Sequence, residues 1–293
     1  MTFPPRLGVL LAVVLWGVSF VATKAALAEI SPVTLIFTRF LLGSVLLVAI
    51  VWLRGASPIP PRDALPALAL MGFVGIFVHQ LLQAYGLSLT TATHAGWLIG
   101  LTPIWSAVLA AIALRERFGA IKILGLLGGF TGALLVVTRG EIGASVLTMP
   151  STRGDLLILI STFNWALYST IGHRTIRRLG PTRATAGGMV LGTLMLAPLF
   201  VIRAGWRELP HLSGTGTLAV LFLGICCSGL GYLFWYGALE RIEVSRAAVF
   251  LYLEPLVTFV AALILLHEPV RPITIAGGII VLLSVVAMQY AKE

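Results

Sequence analysis

VSRAAVFLYLEPLVTFVAALILLHE, residues 244–268, decides the fold because an earlier stretch, residues 92–116, carries the same design: ATHAGWLIGLTPIWSAVLAAIALRE. At one constant shift in numbering, the informative matches are Pro103 with Pro255 and Glu116 with Glu268. Matches between apolar residues carry little weight in so hydrophobic a sequence. A proline inside a helix and a glutamate at the helix end are not expected to recur through composition alone. The chain therefore contains one hydrophobic unit twice.

The composition predicts a polytopic membrane protein. The 293 residues are 58% hydrophobic and only 11% charged, and the mean hydropathy is +1.01, whereas soluble domains carry about 25% charged residues. At about 20 residues per spanning helix, the length accommodates about ten spans and leaves no room for a soluble domain. The net charge of +9 comes from basic residues between the apolar runs, where anionic lipid and the insertion rule explain them. We therefore expect the lipid bilayer, and not nucleic acid, as a partner.

Hydropathy divides the chain into ten candidate spans, separated by short turns rich in proline and glycine. The predicted spans are residues 6–28, 33–53, 64–87, 93–114, 120–137, 154–176, 184–203, 215–239, 244–266 and 271–290. The longest interruption, residues 138–153, falls midway and is rich in Gly, Ser, Thr and Pro. We therefore divide the chain into a first five-helix repeat (1–140), a connecting loop (141–153) and a second five-helix repeat (154–293).

Matches near the beginning of each half extend the duplication. Trp16 pairs with Trp165, and Gly43 pairs with Gly192, at a second constant shift. Because five is an odd number, the second half must enter the membrane from the side opposite to the first. Thirteen of the twenty Lys and Arg fall on the inner side when the N-terminus lies inside, which favours both termini in the cytoplasm. The predicted fold is an all-α membrane protein with ten transmembrane helices in two inverted five-helix repeats, an architecture typical of secondary transporters.

Three stretches of the sequence carry a resemblance to a known family. They are LLAVVLWGVSFVATKAALAEISPVTLIFTRF (10–40), GLSLTTATHAGWLIGLTPIWSAVLAAIALRERFGAIKILG (86–125) and FLYLEPLVTFVAALILLHEPVRPITIAGG (250–278). They resemble the EamA family of the drug/metabolite transporter superfamily. The resemblance implies a central cavity near the bilayer midplane and export of small metabolites or drugs by alternating access. The small residue that this family places before the glutamate is replaced by Arg115 in one copy and by His267 in the other.

Glu254 is an acidic residue that the sequence places deep in the membrane. It lies about ten residues into its span, which at 1.5 Å per residue puts it near the bilayer centre. A charge there costs roughly 2.5–3.5 kcal/mol on insertion scales, so the carboxyl must be paired, protonated or in contact with a water-filled cavity. One interpretation makes Glu254 a proton carrier or an anchor for a substrate amine. The other has it bonding backbone groups freed by Pro255, and Pro103 and Pro255 each predict a helix kink.

Polar and aromatic residues recur at helical spacing in several spans and predict a shared cavity. Arg39 lies too deep in the second span to reach the membrane surface easily, so we expect it to meet an internal acid or a substrate carboxylate. Lys24 either snorkels outward, attracts Glu29 or meets a substrate carboxylate itself. His79 is the second candidate for proton coupling, and a satisfied interior histidine is the alternative. The predicted substrate-binding residues are Trp16, Ser19, Phe20, Arg39, His79, Gln83, Trp97, Asn164, Trp165, Tyr168 and Glu254.

Motifs for hydrolysis and nucleotide binding are absent from the sequence. It contains no G-x-S-x-G, no H-E-x-x-H and no G-x-x-x-x-G-K-[ST], so we expect neither an enzyme nor an ATP-driven pump. We also expect no cofactor and no metal. The sequence is compatible with proton coupling and with uncoupled facilitation.

The sequence therefore predicts a transporter of the bacterial inner membrane that exports small amphipathic metabolites, such as amino acids, aromatic ones included, or drugs. The alternatives are a lipid-headgroup flippase and a non-transporting integral membrane subunit. A stripe of small residues on the fifth span allows close helix approach, either within the monomer or in a homodimer. The stripe consists of Gly125, Gly128, Gly129 and Gly132.

Overall fold

A computed structural model describes residues 4–114, 119–141, 149–239 and 249–290 of the chain. Every regular element in these ranges is a helix. The helices are α1 (Pro5–Leu27), α2 (Pro32–Leu53), α3 (Arg62–Leu89), α4 (92–114), α5 (Ala120–Thr138), α6 (Pro150–Leu179), α7 (Pro181–Ile202), α8 (214–239), α9 (249–266) and α10 (Pro272–Tyr290). Arg115, Glu116 and most of the predicted connecting loop lie outside the described residues.

The helices have the length and the surface of an integral membrane protein. In the described part of the chain, six helices are long and apolar enough to cross a bilayer: Pro5–Leu27, Pro32–Leu53, Arg62–Leu89, Ala120–Thr138, Pro181–Ile202 and Gly214–Trp235. Phe250–Leu266 and Pro272–Ala287 are shorter apolar helices. Large apolar side chains cover the outer surface, with Leu218 70% exposed and Leu124 68% exposed, which is favourable in lipid and costly in water. The prediction of an all-helical membrane protein is confirmed.

Helices at matching places in the two halves pack against each other in antiparallel pairs. In α2 and α7, the rings of Phe37 and Phe200 stack at 4.2 Å, and the hydroxyls of Ser44 and Thr193 hydrogen-bond at 3.2 Å. Rising residue numbers in α2 therefore meet falling numbers in α7. Ser44 and Thr193 are themselves matched positions, at the same shift that relates the two tryptophans of the repeat.

The glycine stripe of α5 packs within the monomer, against α10. A Cβ at Gly132 would lie 2.6 Å from the carbonyl oxygen of Gly277, and a Cβ at Gly128 would lie 2.5 Å from the hydroxyl of Ser284. Side chains cannot occupy so little space, so the glycines allow the two helices to approach closely. Residue numbers rise along α5 where they fall along α10, so this pair of helices is antiparallel too. Of the two uses that the sequence allows for this stripe, packing inside the chain is the one that the structure describes.

Pro103 lies just after a break in α4. The α-helix ends at Ile99, and a new one begins at Thr102, so that the proline occupies its first turn. Proline disrupts the turn before it because it lacks an N–H and its ring collides with a carbonyl. It fits the first turn of a helix, where the N–H would have no partner.

Pro255 follows a similar irregularity in α9. The 3-10 turn Val249–Tyr252 precedes the α-helix Leu253–Ala261, whose first turn contains Pro255. The breaks in α4 and α9 are neighbours, since a Cβ on Gly100 would lie 3.5 Å from the Pro255 ring. The two proline-bearing helices therefore cross at their irregular segments, and α9 places Glu254 beside this crossing.

Candidate functional site

Two of the three π-helices in the described residues lie at matching places in the two halves and organise the interior of the bundle. They are Gly72–Val78 in α3 and Phe222–Gly231 in α8. A π-helix is rare, and its wider turn leaves backbone groups that other side chains must satisfy. The Asn164 amide donates to the Val74 carbonyl at 2.7 Å, and the Trp16 indole donates to the Cys227 carbonyl at 3.1 Å. Each π-helix is thus bonded to a helix of the other half, to α6 in one case and to α1 in the other.

Trp16 forms an aromatic group with α8. Its ring centroid lies 5.5 Å from that of Tyr232 and 5.4 Å from that of Trp235. Gly231 permits this approach, because a Cβ there would lie 2.8 Å from the indole nitrogen. The indole N–H is already bonded to Cys227, so the part of Trp16 available to a ligand is the face or edge of its ring.

Trp165 forms the corresponding group around α3. Its ring centroid lies 5.0 Å from that of His79 and 5.2 Å from that of Tyr168. His79 is buried, and its Nδ1 lies 3.0 Å from the Ser161 carbonyl oxygen. Because a carbonyl only accepts hydrogen bonds, Nδ1 carries the proton, and Nε2 is the nitrogen that can accept a further proton or a substrate donor.

The two matched tryptophans contact one buried apolar cluster. Trp16 and Trp165 both pack against the group that contains Phe40 and Tyr232. Phe20 and Trp97 belong to a different cluster, to which α4, α5, α9 and α10 contribute most of the residues. The structure therefore brings together the residues that recur in both halves, keeps Tyr168 beside Trp165 and places Phe20 and Trp97 elsewhere.

Arg39 places a positive charge beside this aromatic region. It is only 5% exposed, its Nε donates to the Ser228 hydroxyl at 2.8 Å, and its guanidinium carbon lies 5.1 Å from the centroid of the Phe40 ring. Within the described ranges, no carboxylate forms an ion pair with Arg39. A buried guanidinium without a counter-charge is costly, and a substrate carboxylate would remove that cost.

Glu254 lies where α9 packs against α1. Its backbone carbonyl packs against Gly17, where a Cβ would lie 3.1 Å from the carbonyl oxygen, and the same carbonyl accepts a hydrogen bond from Thr258 at 3.0 Å. No donor in the described part of the chain bonds to the Glu254 side chain. Every other acidic side chain in that part accepts at least one hydrogen bond: Glu29, Asp63, Glu141, Asp155, Glu208 and Glu268.

The remaining predicted residues have local roles or few contacts. Ser19 donates to the Trp16 carbonyl at 2.6 Å, one turn back in the same helix. Gln83 is half-buried on α3. Trp97 is buried against Gly278, where a Cβ would lie 2.1 Å from its ring, and its indole N–H has no partner among the described residues.

One end of the bundle is held by charged side chains that bond the segment 87–94, which joins α3 to α4. The Lys24 ammonium donates to the carbonyls of Leu87 and Thr90 at 2.8 and 2.6 Å. The Glu268 carboxylate accepts from the backbone N–H groups of Ala92 and Thr93 at 2.8 and 2.9 Å. A cation at a helix C-terminus and an anion at a helix N-terminus both complement the unpaired backbone groups there.

Asp155 of α6 bonds the same segment from the other side. Its side chain is fully buried, its Oδ1 accepts from the Thr90 hydroxyl at 2.5 Å, and its Oδ2 lies 3.0 Å from His94 Nδ1. Thr91 caps α4 by accepting from the backbone N–H of His94 at 3.1 Å. Segment 87–94 is therefore bonded to α1 through Lys24, to α6 through Asp155 and to the turn after α9 through Glu268.

Two glutamates close the same end of the bundle reciprocally. Glu29, in the turn before α2, accepts from the backbone N–H and the hydroxyl of Ser213, both at 2.7 Å. Glu208, in the turn before α8, accepts from the backbone N–H of Ser31 at 2.6 Å. The hydrogen bonds from Ser213 lower the pKa of the Glu29 carboxyl, so they stabilise the fold at neutral pH and are lost as the pH falls through that lowered pKa.

Some of these residues give little signal in the sequence. Ser228 and Tyr232 lie one helical turn apart in an apolar run, and nothing local links Ser228 to Arg39 or Tyr232 to Trp16. Asp155 follows the connecting loop, where an acid is usually solvated. Glu268 is the exception, because its match with Glu116 marks it before its contacts are known.

The fold and the interior define a polytopic integral membrane protein with buried charge. The model of the EamA-like transporter family matches the chain twice, over residues 5–138 and 152–290. The chain belongs to the EamA-like transporter family, as the resemblance predicts.

Relatives of known sequence cover almost the whole chain. Two uncharacterized transporters of Archaeoglobus fulgidus are 31% and 33% identical, over 94% of this chain and 93% and 95% of theirs. A protein of Streptantibioticus cattleyicolor named as a probable terminal-alkyne amino-acid exporter is 28% identical over 92% of this chain and 87% of its own. A solved crystal structure with 21% identity superposes over 98% of both chains with a TM-score of 0.68, which indicates a shared fold.

Proposed function

We propose that this protein is a secondary transporter that exports small amphipathic metabolites, amino acids or related compounds with aromatic ones included, or drugs. It works by alternating access around a midplane cavity, in a bacterial inner membrane with both termini in the cytoplasm. The observation that carries the proposal is the presence of charged residues among the helices without a described partner of opposite charge. Arg39 and Glu254 have no described counter-charge, and they lie on helices that flank the matched Trp16.

We further propose that the ten helices form two inverted five-helix repeats. The antiparallel packing of α2 with α7 and of α5 with α10 supports this, because a two-fold axis in the membrane plane reverses matched helices. The helices α4 and α9 are antiparallel too, since Gly96 lies against Thr258 and Gly100 lies against Pro255. The exchanged contacts, α1 on α8 and α6 on α3, support it as well. So does the double match of the family model, once in each half.

The chemistry of the site favours a substrate with a carboxylate and an apolar group. Arg39 would bind the carboxylate, with Ser228 fixing the orientation of the guanidinium. Trp16 and Trp165 would contact the apolar part through their rings. Glu254 would take a proton or a substrate amine, and His79 is the second proton candidate. The name of the Streptantibioticus relative, an amino-acid exporter, agrees with this substrate class.

Alternating access requires one end of the cavity to close while the other opens. We propose that the structure represents a state closed at the end where segment 87–94 lies. The bonds made by Lys24, Asp155 and Glu268 hold that segment to α1, to α6 and to the turn after α9 at once. Opening this end would require these bonds to break, and a substrate or proton that favours the open state would supply the free energy.

Transport assays with the purified protein in proteoliposomes test the proposal. A panel of zwitterionic amino acids, acidic metabolites and amines is presented with and without a pH gradient. We expect accumulation of a carboxylate-bearing amphipathic solute, stimulated by the gradient, and much weaker transport by Arg39→Gln. Accelerated movement of lipid headgroups without any solute transport would favour the flippase alternative and refute the proposal.

A further inference from the structure

A groove between α2 and α7 faces the bilayer and exposes only apolar surface. Its volume is about 590 Å³. Its two hydroxyls are satisfied internally, since Ser44 bonds Thr193, and Thr193 donates to the Met189 carbonyl at 2.8 Å. The lining residues are Leu41, Ser44, Val45, Val48, Ala49, Trp52, Pro58, Val190, Thr193 and Leu194.

The length of the groove matches one leaflet of a membrane. It follows α2 from Leu41 to Trp52, which at 1.5 Å per residue is about 17 Å. The hydrocarbon core of a bilayer is about 30 Å thick, so the groove spans about half of it. Trp52 is 67% exposed at one end, and exposed tryptophan is typical of the boundary between hydrocarbon and headgroups. The groove therefore runs from the middle of the bilayer to one surface.

The surface end of the groove is cationic. Arg54 directly follows α2 and is exposed. The antiparallel register of α2 and α7 places Arg183, in the first turn of α7, opposite Arg54. Arg183 also lines an adjoining crevice that shares Pro58 with the groove. Two arginines thus lie where the phosphate of a phospholipid would lie if its acyl chain filled the groove.

We propose that this groove is a binding site for an anionic phospholipid, with one acyl chain between α2 and α7 and the phosphate at Arg54 and Arg183. The lining accommodates the chain by apolar contact alone, and the two cations distinguish an anionic headgroup from a zwitterionic one. The lipid would stabilise the pairing of α2 with α7, across which the two halves meet.

Fluorescence quenching of Trp52 tests the site. The full chain is reconstituted in vesicles of zwitterionic lipid that contain a fraction of brominated phosphatidylglycerol or brominated phosphatidylcholine, and the Trp52 signal is the difference from Trp52→Phe. We expect several-fold stronger quenching by the brominated anionic lipid. Arg54→Ala and Arg183→Ala should each reduce that preference about fivefold. Arg207→Ala, which removes an exposed charge at the other end of the bundle, should leave it unchanged.

Filling the groove provides a second variant that leaves both arginines intact. Ala49→Phe should abolish the preference for anionic lipid by excluding the acyl chain. Equal quenching by the two lipids in the wild type would overturn the proposal, as would an unchanged preference in the arginine variants. Loss of quenching as the protein-to-lipid ratio rises would also overturn it, because a second copy of the chain would then cover the groove.

Discussion

Asp155→Asn should open the end of the bundle that segment 87–94 closes. The substitution keeps the shape of the side chain and one acceptor oxygen, but it removes the charge shared by Thr90 and His94. Hydrogen bonds to charged groups contribute about 1.5–3 kcal/mol each. Asp155 makes two such bonds, one with Thr90 and one with His94. Losing one of these hydrogen bonds and weakening the other should shift the closed-to-open equilibrium by about 2–3 kcal/mol, which is roughly 30- to 150-fold.

Thiol accessibility measures this shift. A cysteine at Gln83 lies on α3 about 6 Å inside Leu87, since four residues separate them along the helix. With Cys226 and Cys227 replaced by alanine, a membrane-impermeant maleimide added from the side of segment 87–94 should label it faster in Asp155→Asn. Unchanged labelling in a variant that melts normally would refute the reasoning.

The matched control for this experiment is Asp63→Asn. Asp63 pairs with Arg178 at the opposite end of the bundle, and both side chains are more than half exposed. Exposed ion pairs contribute about 0–1 kcal/mol, so labelling at Gln83 should change little. An equal increase in both variants would mean that loss of any carboxylate loosens the protein, and the closed-end interpretation would be wrong.

Three further predictions test separate parts of the structure. Arg39→Gln should weaken binding of carboxylate substrates by about 10- to 100-fold, from a loss of roughly 1.5–3 kcal/mol. Ser228→Ala should weaken that binding less than tenfold. Equilibrium binding of a labelled substrate measures both effects. Glu254→Gln should abolish accumulation driven by a pH gradient and retain substrate exchange, measured as counterflow. Gly132→Ala should lower the melting temperature, because overpacking costs about 1–3 kcal/mol and outweighs the 0.5–1 kcal/mol that alanine gains in a helix. The control is Gly119→Ala, whose added methyl group meets no atom within 4 Å, and it should not lower the melting temperature.

A specific outcome would contradict each of these three predictions. Equal binding of carboxylates by Arg39→Gln and the wild type would exclude the proposed role of the guanidinium. Full gradient-driven transport by Glu254→Gln would remove that residue as the proton carrier. A melting temperature for Gly132→Ala at or above that of the wild type would mean that α5 and α10 do not approach as closely as described.

Helix boundaries follow from the sequence where helices end at the edge of the membrane. The predicted span 33–53 corresponds to Pro32–Leu53, and the predicted span 120–137 corresponds to Ala120–Thr138. Hydropathy is less informative where a helix continues into water. α6 is predicted over 154–176 and extends over Pro150–Leu179, because Pro150 is well suited to start a helix and the polar residues at both ends are compatible with one.

The sequence indicates site residues best where they recur. Trp16 and Trp165 repeat at one shift, and the structure places both against one cluster. Spacing along a single helix is weaker evidence. Phe20 follows Trp16 by one turn and yet packs in the other cluster, because α1 is surrounded by α4, α8 and α9 and has no single interior face. Contacts such as that of Arg39 with Ser228 join distant parts of the chain, and no local pattern predicts them.

Solute counterflow in proteoliposomes is the most direct test of the central claim, that the buried charges of this bundle bind a solute and carry it across the membrane. Vesicles containing the purified protein are loaded with an unlabelled zwitterionic amino acid and diluted into the labelled compound. We expect transient uptake by the wild type and by Asp63→Asn, and much weaker uptake by Arg39→Gln. Equal uptake by the wild type and Arg39→Gln, or no uptake of any carboxylate-bearing solute in the panel by the folded wild type, would contradict the central claim.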